Sequence, residues 1–539
     1  MWLINTSTIK LERANPDDLS STEYAILSHT WGKEEVTFED MIQQSPPAEK
    51  AGYIKILKTC ELAQEQDIPY AWVDTCCIDK RSSAELAEAI NSMFRWYKEA
   101  TVCFAHLYDL ESIDWSGGNH HRGLENCRWF TRGWTLQELI GSQQLDFYDS
   151  AWDFRGSKLS LGIRISEITG IDLEVLENTA SLEGIPIARR MSWAANRKTT
   201  RVEDIAYCLL GIFDVNMPMM YGEGSKAFER LQEEIIKQTT DMSLFAWKAK
   251  YASQTYRGIL AQSPAEFAHC RDLYLAPSMR AGFETAMTNK GLRLETVLGN
   301  GNILNLACRL PARSGGGGNI GVYLTRTADG YVRSSTTQLF AAADSHMWAG
   351  ERYKVFIRKR VTPFVSQKLK SDLAMNIAAH TTIVSPGYRM HTFAAKPADL
   401  WDRHSRCFIT NNYPKFTGFL DFQISDLYGS FVSRRIFVVC GLTNKVDAPG
   451  LETWAAVYSG GNILGATVVA DWVNKYYESY GDEVYLGELH SRLLAWKDEF
   501  PREISVSSSD GLHSLVVSVE VQPNLKDGAD SVQVTVKSQ

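Results

Sequence analysis

Four polar or aromatic side chains follow an apolar run near the start of the chain, in the stretch YAILSHTWG: Ser28, His29, Thr30 and Trp31. A second apolar run, YAWV, leads directly into Asp74. Loops at the carboxyl ends of parallel strands converge on one crevice, and ligands bind there. These residues are therefore predicted to form a wall of a ligand crevice. The structural alternative is that Ser28 and Thr30 cap the next turn while Trp31 covers the edge of the core.

Two glutamates are candidates for the chemistry of this crevice. Glu85 ends the stretch SSAE, a capping box in which Ser82 accepts from the Glu85 N–H and the carboxylate reaches back to the Ser82 N–H. The same first helical turn also faces the crevice, where a carboxylate stabilises a developing cation or orients a water. Spacing alone leaves both roles open. Glu138, in RGWTLQEL, is the second candidate, whereas Gln137 points about 100° away on a helix.

Several other chemistries do not fit the residue pattern. Ser28 and His29 are neighbours on an extended segment, so their side chains point to opposite faces and form no nucleophile–base pair. The stretch YGEGSKAF has Gly-Ser-Lys where a P-loop has Gly-Lys-Ser/Thr, and it is interpreted as a helix start capped by Ser225. Cysteines and the pair His120 and His121 occur at no metal-ligand spacing, so no metal site is predicted.

Alternating strand-like and helix-like segments are expected to position these residues. Near-continuous apolar runs begin at Tyr24, Tyr70, Thr101 and Gln143, with helical spacing of apolar residues between them. This alternation predicts an α/β fold with a parallel sheet covered by helices on both faces. From about residue 258 the pattern changes to short β-branched and aromatic runs, which predicts a mostly antiparallel, β-rich part.

Three regions follow from these changes in pattern. Residues 1–157 are predicted to form the α/β core, residues 158–250 a helical extension that packs back on the sheet, and residues 251–539 a β-rich carboxy-terminal domain. The glycine-rich stretch RSGGGGN, residues 313–319, is interpreted as a loop inside the last domain.

Composition narrows the class of protein. With 44% apolar and 22% charged residues the chain has the composition of a globular protein. The net charge of −8 and the lack of a Lys/Arg stripe argue against nucleic acid as a partner. No membrane span or signal peptide is expected, and an intracellular, cytoplasmic protein is predicted. The ten cysteines are interpreted as buried free thiols of a reducing compartment.

Three ordered blocks carry a family likeness. YAILSHTWG, WVDTCCIDKRSSAELAEAINSMFRWYKEA and RGWTLQEL closely resemble the blocks of the HET (heterokaryon incompatibility) domain of filamentous fungi. The stretch RMSWAANRKTTRVEDIAYCLLGIFDVNMPMMYGEG is similar to the segment that commonly follows them. The likeness covers roughly residues 24–245. It implies a role in non-self recognition between fused hyphae, ending in growth arrest or programmed death of the mixed cell.

The resemblance also implies a flavodoxin-like fold akin to TIR domains, some of which cleave NAD at the nicotinamide bond. NAD is then the substrate, and no cofactor is required. In such enzymes a helix-borne glutamate is essential, and the resemblance gives this catalytic role to Glu85. The charge of Glu85 would stabilise the oxocarbenium-like ribosyl species that forms when the bond to nicotinamide breaks.

The same resemblance implies a set of nucleotide-binding residues: Ser28, His29, Thr30, Trp31, Asp74, Trp134 and Glu138. Trp31 or Trp134 is expected to stack on a flat ring. Ser28 and Thr30 are expected to bind phosphate or ribose oxygens, and Asp74 a ribose hydroxyl.

Three functional hypotheses remain open from the sequence. The first is an incompatibility protein that binds or hydrolyses NAD and acts with an incompatible allelic partner or a second copy of itself. The second is a non-catalytic signalling module that works by homotypic assembly. The third is a HET scaffold recruited as a biosynthetic enzyme for a small organic substrate, because sites are grafted on folds. The β-rich part is expected to sense a partner, restrain the first domain or line another pocket.

Overall fold

The computed structural model describes most of the first half of the chain and separate segments of the second half. The described residues are 1–14, 22–43, 48–112, 123–251, 256–276, 284–299, 302–311, 318–327, 330–342, 352–362, 375–378, 388–396, 401–402, 407–408, 416–426, 433, 436–444, 451–459, 502–507, 514–522 and 531–538. They divide into two compact units. The first comprises Met1–Ser253, Gly258–Tyr323 and Ser335–Lys354, and the second comprises Gln254–Arg257, Leu324–Ser334 and Val355–Gln539.

A seven-stranded sheet organises the first unit. Its strands are β1 (Trp2–Asn5), β2 (Lys10–Arg13), β3 (Tyr24–His29), β4 (Tyr70–Trp72), β5 (Val102–His106), β6 (Leu145–Tyr148) and β7 (Phe154–Ser157). They lie in the order β2-β1-β4-β3-β5-β6-β7. The four central strands are parallel, and every residue of β3, β5 and β6 is buried. Such fully buried, mainly apolar strands form where helices cover both faces of a sheet.

The two edges of this sheet depart from the predicted parallel arrangement. β1 pairs antiparallel with both β2 and β4, and β7 pairs antiparallel with β6. The sheet is therefore mixed, and the prediction of a parallel sheet is right only for the four central strands. Short edge strands are hard to predict because their outer residues are polar, as in the mostly exposed KLER of β2.

Helices form most of the connections of this sheet and recur through residues 158–250. They are α1 (Phe38–Met41), α2 (Tyr53–Gln64), α3 (Ser83–Glu99), α4 (Thr135–Gly141), α5 (Gly162–Thr169), α6 (Leu173–Leu176), α7 (Ile187–Ser192), α8 (Asp204–Tyr207), α9 (Leu210–Phe213) and α10 (Lys226–Gln238). Single 3-10 turns occur at Leu124–Asn126, Arg128–Thr131, Leu182–Gly184, Met242–Phe245 and Pro264–Phe267. The longest helix, α3, presents a buried stripe that includes Ile90, Met93 and Tyr97 at helical spacing.

The strand order determines where a ligand site can form. From β3 the chain crosses to β4 on one side, and it then returns across β3 to β5 on the other side. Right-handed crossovers therefore place α2 on one face of the sheet and α3 with α4 on the opposite face. The carboxyl ends of β3 and β5 flank the switch point, which is where ligands bind in open α/β sheets.

The rest of the described chain is mainly β-structure. Its strands are β8 (Tyr274–Leu275), β9 (Thr285–Thr288), β10 (Gly291–Thr296), β11 (Leu298–Gly299), β12 (Ile303–Leu310), β13 (Gly318–Thr327), β14 (Gly330–Arg333), β15 (Phe340–Ala342), β16 (Tyr353–Ile357), β17 (Met375–Ala378), β18 (Tyr388–Lys396), β19 (Trp401–Asp402), β20 (Cys407–Phe408), β21 (Phe416–Asp426), β22 (Ile436–Asn444), β23 (Leu451–Ser459), β24 (Glu503–Ser507), β25 (Ser514–Gln522) and β26 (Ser531–Ser538). The prediction of a β-rich carboxy-terminal part is confirmed. The loop predicted from RSGGGGN lies mostly outside the described residues.

Within the second unit, two sheets contribute to one apolar core. One has the order β18-β21-β22-β23 and is antiparallel throughout, and the other has the order β19-β20-β17-β26-β25-β24. Buried side chains from both sheets, including Phe422, Val438 and Val517, form a single cluster. Alternating buried residues in β25 are typical of a sheet with one covered face.

Candidate functional site

A cavity of about 680 Å³ lies in the first unit, where the loops after β3, β4 and β5 meet. Its volume is in the range of pockets that hold small molecules and cofactors. The lining residues are Trp31, Asp74, Ile78, Lys80, Leu86, Ile90, Met93, Arg128, Thr131, Arg132, Trp134, Glu138, Lys198, Thr199, Thr200, Arg201, Asp204 and Tyr221. The predicted residues Trp31, Asp74, Trp134 and Glu138 are thus brought together in one lining.

Glu138 is the most buried of the acidic lining residues. It lies on α4, every residue of which is buried, and its own exposed fraction is 5%. Ser28 Oγ donates a hydrogen bond to Glu138 Oε2, and Ser28 Oγ in turn accepts from Trp129 Nε1–H at 2.7 Å. Burial raises the pKa of Glu138 to about 8, and the nearby charge of Asp74 acts in the same direction. Glu138 is therefore a neutral carboxylic acid at pH 7.

Trp31 forms an accessible aromatic wall of the cavity. Its exposed fraction is 40%, and its indole N–H donates to Asp74 Oδ2 at 2.8 Å. Two cations face the ring, with Lys80 Nζ 4.0 Å and Arg132 Cζ 5.3 Å from the ring centroid. The hydrogen bond fixes the indole plane, so the ring is oriented for stacking with a flat group.

His29 and Thr30 lie beneath the lining and not on it. The His29 side chain is 1% exposed, with Nδ1 3.9 Å from Asp74 Oδ1 and Nε2 3.7 Å from Glu35 Oε2. Lys55 Nζ donates to the Thr30 carbonyl at 3.2 Å and to Glu35 Oε1 at 2.5 Å. Burial raises the pKa of Glu35, but the nearby His29 side chain and the hydrogen bonds from the Gly32 N–H and from Lys55 outweigh burial and hold this pKa well below its usual range. Both residues therefore support the wall from behind.

The Glu85 carboxylate turns back onto the start of its own helix. Ser82 Oγ accepts from the Glu85 N–H at 3.3 Å, as a helix cap does. Glu85 Oε1 accepts from the backbone N–H of Asp79 at 3.1 Å, and not from the Ser82 N–H that a capping box uses. The neighbouring Leu86 lines the cavity, whereas Glu85 is not among its described lining residues. The structural alternative for Glu85 has direct geometric support, and its catalytic role stays a prediction.

Five cationic side chains surround the cavity, and the sequence patterns above do not single out any of them. They are Lys80, Arg128, Arg132, Lys198 and Arg201. Within the part of the chain that the structure describes, none of the five lies within ion-pair distance of a carboxylate. Unpaired cations around a concave site attract anions, because the low-dielectric walls focus their field.

The stretch NRKTTRVED, residues 196–204, supplies the outer wall and lies far from the sheet in sequence. It is held against residues 131–133, before α4, by two backbone hydrogen bonds, from the Gly133 N–H to the Lys198 carbonyl at 2.8 Å and from the Lys198 N–H to the Thr131 carbonyl at 2.7 Å. A Cβ on Gly133 would come within 2.5 Å of Thr199 Cγ2, so this glycine permits the approach. The run of basic and hydroxyl residues RKTTR, residues 197–201, is the sequence signal that could have indicated an anion-binding segment here.

Asp204 holds Tyr221 in the wall of the cavity, to which Trp134 also belongs. Tyr221 O–H donates to Asp204 Oδ1 at 3.0 Å. Burial raises the pKa of Asp204, and the hydrogen bond from Tyr221 partly offsets the effect. Tyr221 is therefore a fixed part of the wall.

The glycine loop YGEGSK binds a carboxylate of the chain itself. The backbone N–H groups of Gly222 and Gly224 both donate to Glu203 Oε1, at 2.8 and 3.0 Å. Helix α10 begins directly after Ser225, but the Ser225 side chain makes no capping hydrogen bond. The predicted cap is therefore wrong, because Glu203 organises the turn before the helix.

Other expectations from the sequence concern thiols, metals and membranes. The nine free cysteines whose burial the structure describes are all buried. His120 and His121 lie outside the described residues. Among the residues that are described, no group of three or more His, Cys, Asp or Glu side chains is arranged to hold a metal ion. In the same residues, no helix is both long enough and apolar enough to span a membrane.

Comparisons with known proteins identify two regions. Residues 24–115 match the family model of the heterokaryon incompatibility protein (HET), and residues 226–285 match a domain of unknown function, DUF8212. Vegetative incompatibility protein HET-E-1 of Podospora anserina is 46% identical over 220 residues, which is 40% of this chain and 16% of the relative. The chain thus covers about one sixth of that protein's length. No solved structure matches the chain significantly.

The family match includes β3, β4, α3 and β5, together with the cavity residues Trp31, Asp74 and Lys80. The chain therefore carries a heterokaryon incompatibility (HET) domain in its amino-terminal α/β unit.

Proposed function

We propose that the chain is a vegetative incompatibility protein of the non-self recognition type, and that its HET domain binds a phosphorylated nucleotide such as NAD in the cavity. Support for the first part comes from the HET family match and from the relative, which is named a vegetative incompatibility protein. Growth arrest or cell death is the expected outcome, triggered by an incompatible allelic partner or by assembly with a second copy.

The five unpaired cations carry the nucleotide part of the proposal. Side chains of Lys and Arg around one pocket are the usual partners of phosphate, which Arg binds through paired hydrogen bonds. The whole chain has a net charge of −8, so this cluster is a local exception. A ligand that carries phosphate groups is therefore the class of anion that this cluster of Lys and Arg side chains favours.

Two further features favour a nucleotide over a simple phosphate. The Trp31 ring, which is partly exposed in the cavity lining, offers an aromatic contact for a flat ring such as a nucleotide base. Apolar side chains of Ile78, Leu86, Ile90 and Met93 line the wall formed by α3 and the turn before it. The cavity therefore combines cations for phosphate, a ring for stacking and an apolar wall for a base.

The sheet order is compatible with a flavodoxin-like, TIR-related fold. Counting the four parallel strands along the chain, they lie in the order second, first, third, fourth. This is the order of flavodoxin-like sheets, in which the ligand sits at the switch point between the first and third strands. The cavity occupies the corresponding place, beside the loops after β3 and β5.

Hydrolysis of NAD is the proposed reaction. The bond between ribose C1′ and the nicotinamide nitrogen breaks, and its electron pair stays with nicotinamide. Water adds to C1′ and releases one proton, which gives nicotinamide and ADP-ribose. Glu138 is proposed to contact the nicotinamide head group, and Glu85 remains the proposed source of negative charge.

Nucleotide binding is tested by thermal unfolding of the purified protein with NAD or ADP. We expect either ligand to raise the melting temperature, because a ligand at 100 times its Kd stabilises a folded protein by about 2.7 kcal/mol. The double variant Lys198→Glu/Arg201→Glu should bind at least about tenfold more weakly, since a hydrogen bond to a charged group contributes about 1.5–3 kcal/mol.

The matched control for this charge reversal is Lys10→Glu. Lys10 is exposed on β2, where it lies opposite Asn5 of β1. Asn5 in turn lies opposite Tyr70, the first residue of β4. Lys10 is therefore at the end of the sheet opposite to the cavity, which lies after the last residues of β3, β4 and β5. Equal affinities of wild type and the double variant would contradict the proposed phosphate site. A wild-type protein that binds neither nucleotide would leave the non-catalytic assembly module as the better hypothesis.

The reaction is tested by nicotinamide release from NAD. We expect Glu138→Ala to slow release by about tenfold or more, because the head group loses a hydrogen bond in a buried site. Retention of the fold is checked by circular dichroism. Full activity of Glu138→Ala together with an inactive Glu85→Gln would assign the essential carboxylate to Glu85 instead.

A further inference from the structure

The hydrogen-bond chain beneath the cavity has a fixed direction. An indole N–H only donates, so Ser28 Oγ must accept from Trp129. Glu138 Oε2 is the only acceptor for the Ser28 hydroxyl among the described residues, so the single proton of this buried hydroxyl is directed to it. Both Ser28 and Trp129 have an exposed fraction of 0%, so water does not compete for these groups.

This direction decides which oxygen of the neutral Glu138 carries the proton. Oε2 accepts from Ser28, and a proton on Oε2 would face the proton of Ser28. Glu138 Oε1 has no hydrogen-bond partner among the described residues, and Glu138 is part of the cavity lining. The acidic proton is therefore on Oε1, the oxygen that the ligand can reach.

We infer that Glu138 presents a carboxylic O–H donor to the ligand and thereby selects a nucleotide whose head group carries a hydrogen-bond acceptor, such as an amide carbonyl or an unprotonated ring nitrogen. The inference rests on the proposed function for the identity of the ligand as a nucleotide. Ser28 and Trp129 act as positioning residues, because they reach the ligand only through Glu138. A carboxylate at this position would select the opposite class, a head group that donates.

Three charged groups influence the charge of Glu138: Asp74 after β4, Arg132 before α4 and Arg197 in the outer wall. Tyr97 on α3 and Cys103 on β5 also face Glu138, and its charge raises the pKa of both groups. Arg132 and Arg197 favour ionisation of Glu138, but burial and Asp74 outweigh them, and the pKa remains near 8. Arg197 is itself committed elsewhere, since Nη1 donates to the Arg132 carbonyl at 2.8 Å and to Thr135 Oγ1 at 3.0 Å.

The direct test uses the ligand-free protein, with the Trp129 indole N–H as a reporter in nitrogen–proton NMR spectra. The signal is assigned by its loss in Trp129→Phe. We expect the chemical shift of this signal to change with pH, with a midpoint near pH 8. Ionisation of Glu138 changes its hydrogen bond with Ser28, and this in turn changes the hydrogen bond that Ser28 Oγ accepts from the indole. Glu138→Gln should remove the titration. A signal that does not change between about pH 6 and pH 9 in the wild type would overturn the inference.

The second test compares NAD affinity across the same pH range by calorimetry. Affinity of the wild type should fall about tenfold from pH 7 to pH 9, as Glu138 loses the proton that it donates. In Glu138→Gln the amide oxygen accepts from Ser28 and the amide NH₂ donates to the cavity, so this variant should show no such loss. At pH 9 it should bind NAD more tightly than the wild type does.

Positioning by Trp129 is tested in the same assay. Trp129→Phe keeps a buried ring but removes the N–H that orients the Ser28 hydroxyl towards Glu138, so NAD affinity at pH 7 should fall. An unchanged affinity in this variant would contradict the positioning role. Loss of NAD binding in Glu138→Gln, with wild-type affinity constant or rising with pH, would contradict the donor role.

Failure of the inference and failure of the proposed function give different results. If the wild type binds no nucleotide, the proposed function fails, and the titration of the ligand-free indole still decides where the proton of Glu138 resides. If NAD binds without the expected pH dependence, the nucleotide site stands and the donor role of Glu138 is wrong.

Discussion

Replacement of Gly211 by alanine is expected to destabilise the first unit by about 3 kcal/mol. Gly211 lies in α9, which packs against α3, and a Cβ there would sit 2.0 Å from Cβ and 2.3 Å from Cγ of Phe94. These distances are far shorter than van der Waals contact, so α9 and α3 must move apart. The midpoint of urea unfolding, followed by tryptophan fluorescence, measures the effect.

Gly184 provides the matched control for this substitution. It also lies in a helical turn, Leu182–Gly184, but an added Cβ would meet no heavy atom within 4 Å. Gly184→Ala should therefore change the free energy of unfolding by less than about 0.5 kcal/mol. Equal unfolding midpoints for the two alanine variants would show that α9 is not packed on Phe94 as described.

Replacement of Glu138 by glutamine is expected to stabilise the protein at alkaline pH by up to about 5 kcal/mol. The pKa of Glu138 is raised from 4.5 to about 8 on folding, so between these values the unfolded chain loses a proton that the folded chain keeps. The wild type therefore loses stability as the pH rises from 4.5 towards 8. Glutamine does not ionise, and its advantage should be absent near pH 4.5 and fully developed above pH 8.

Glu35→Gln tests the sign of this argument with the same chemical change. The pKa of Glu35 is held below its usual value, so ionised Glu35 stabilises the fold above an unfolded pKa of 4.5. Glu35→Gln should accordingly be less stable than the wild type at neutral pH and lose this deficit as the pH falls. Urea unfolding at several pH values measures both variants. Parallel pH profiles for Glu138→Gln and the wild type would contradict the buried, neutral carboxyl.

Much of the amino-terminal fold could be predicted from the sequence because its signals are local. The apolar runs beginning at Tyr24, Thr101 and Gln143 correspond to β3, β5 and β6, and α4 begins within the stretch RGWTLQEL. The run at Tyr70 forms a strand of only three residues, since the chain turns at Asp74. The edge strands β1, β2 and β7 were not predicted, because four-residue strands with polar outer faces lack a clear periodic pattern.

The candidate site could be predicted only in part, for a different reason. Trp31, Asp74, Trp134 and Glu138 line the cavity, as expected from residues near the carboxyl ends of parallel strands and from the family blocks. The position of Glu85 could not be decided from spacing, because one helix turn allows its carboxylate to face either the crevice or the helix start. The backbone N–H of Asp79 holds it at the helix start.

By itself the sequence determined the HET kinship, the alternation of strands and helices, and the convergence of polar side chains at one end of the sheet. Tertiary structure alone decided that the outer wall comes from residues 196–204, since nothing local links them to Gly133. It also decided the protonation state of Glu138. The charge of a carboxyl group depends on burial and on partners such as Ser28, which lies 110 positions away in the chain.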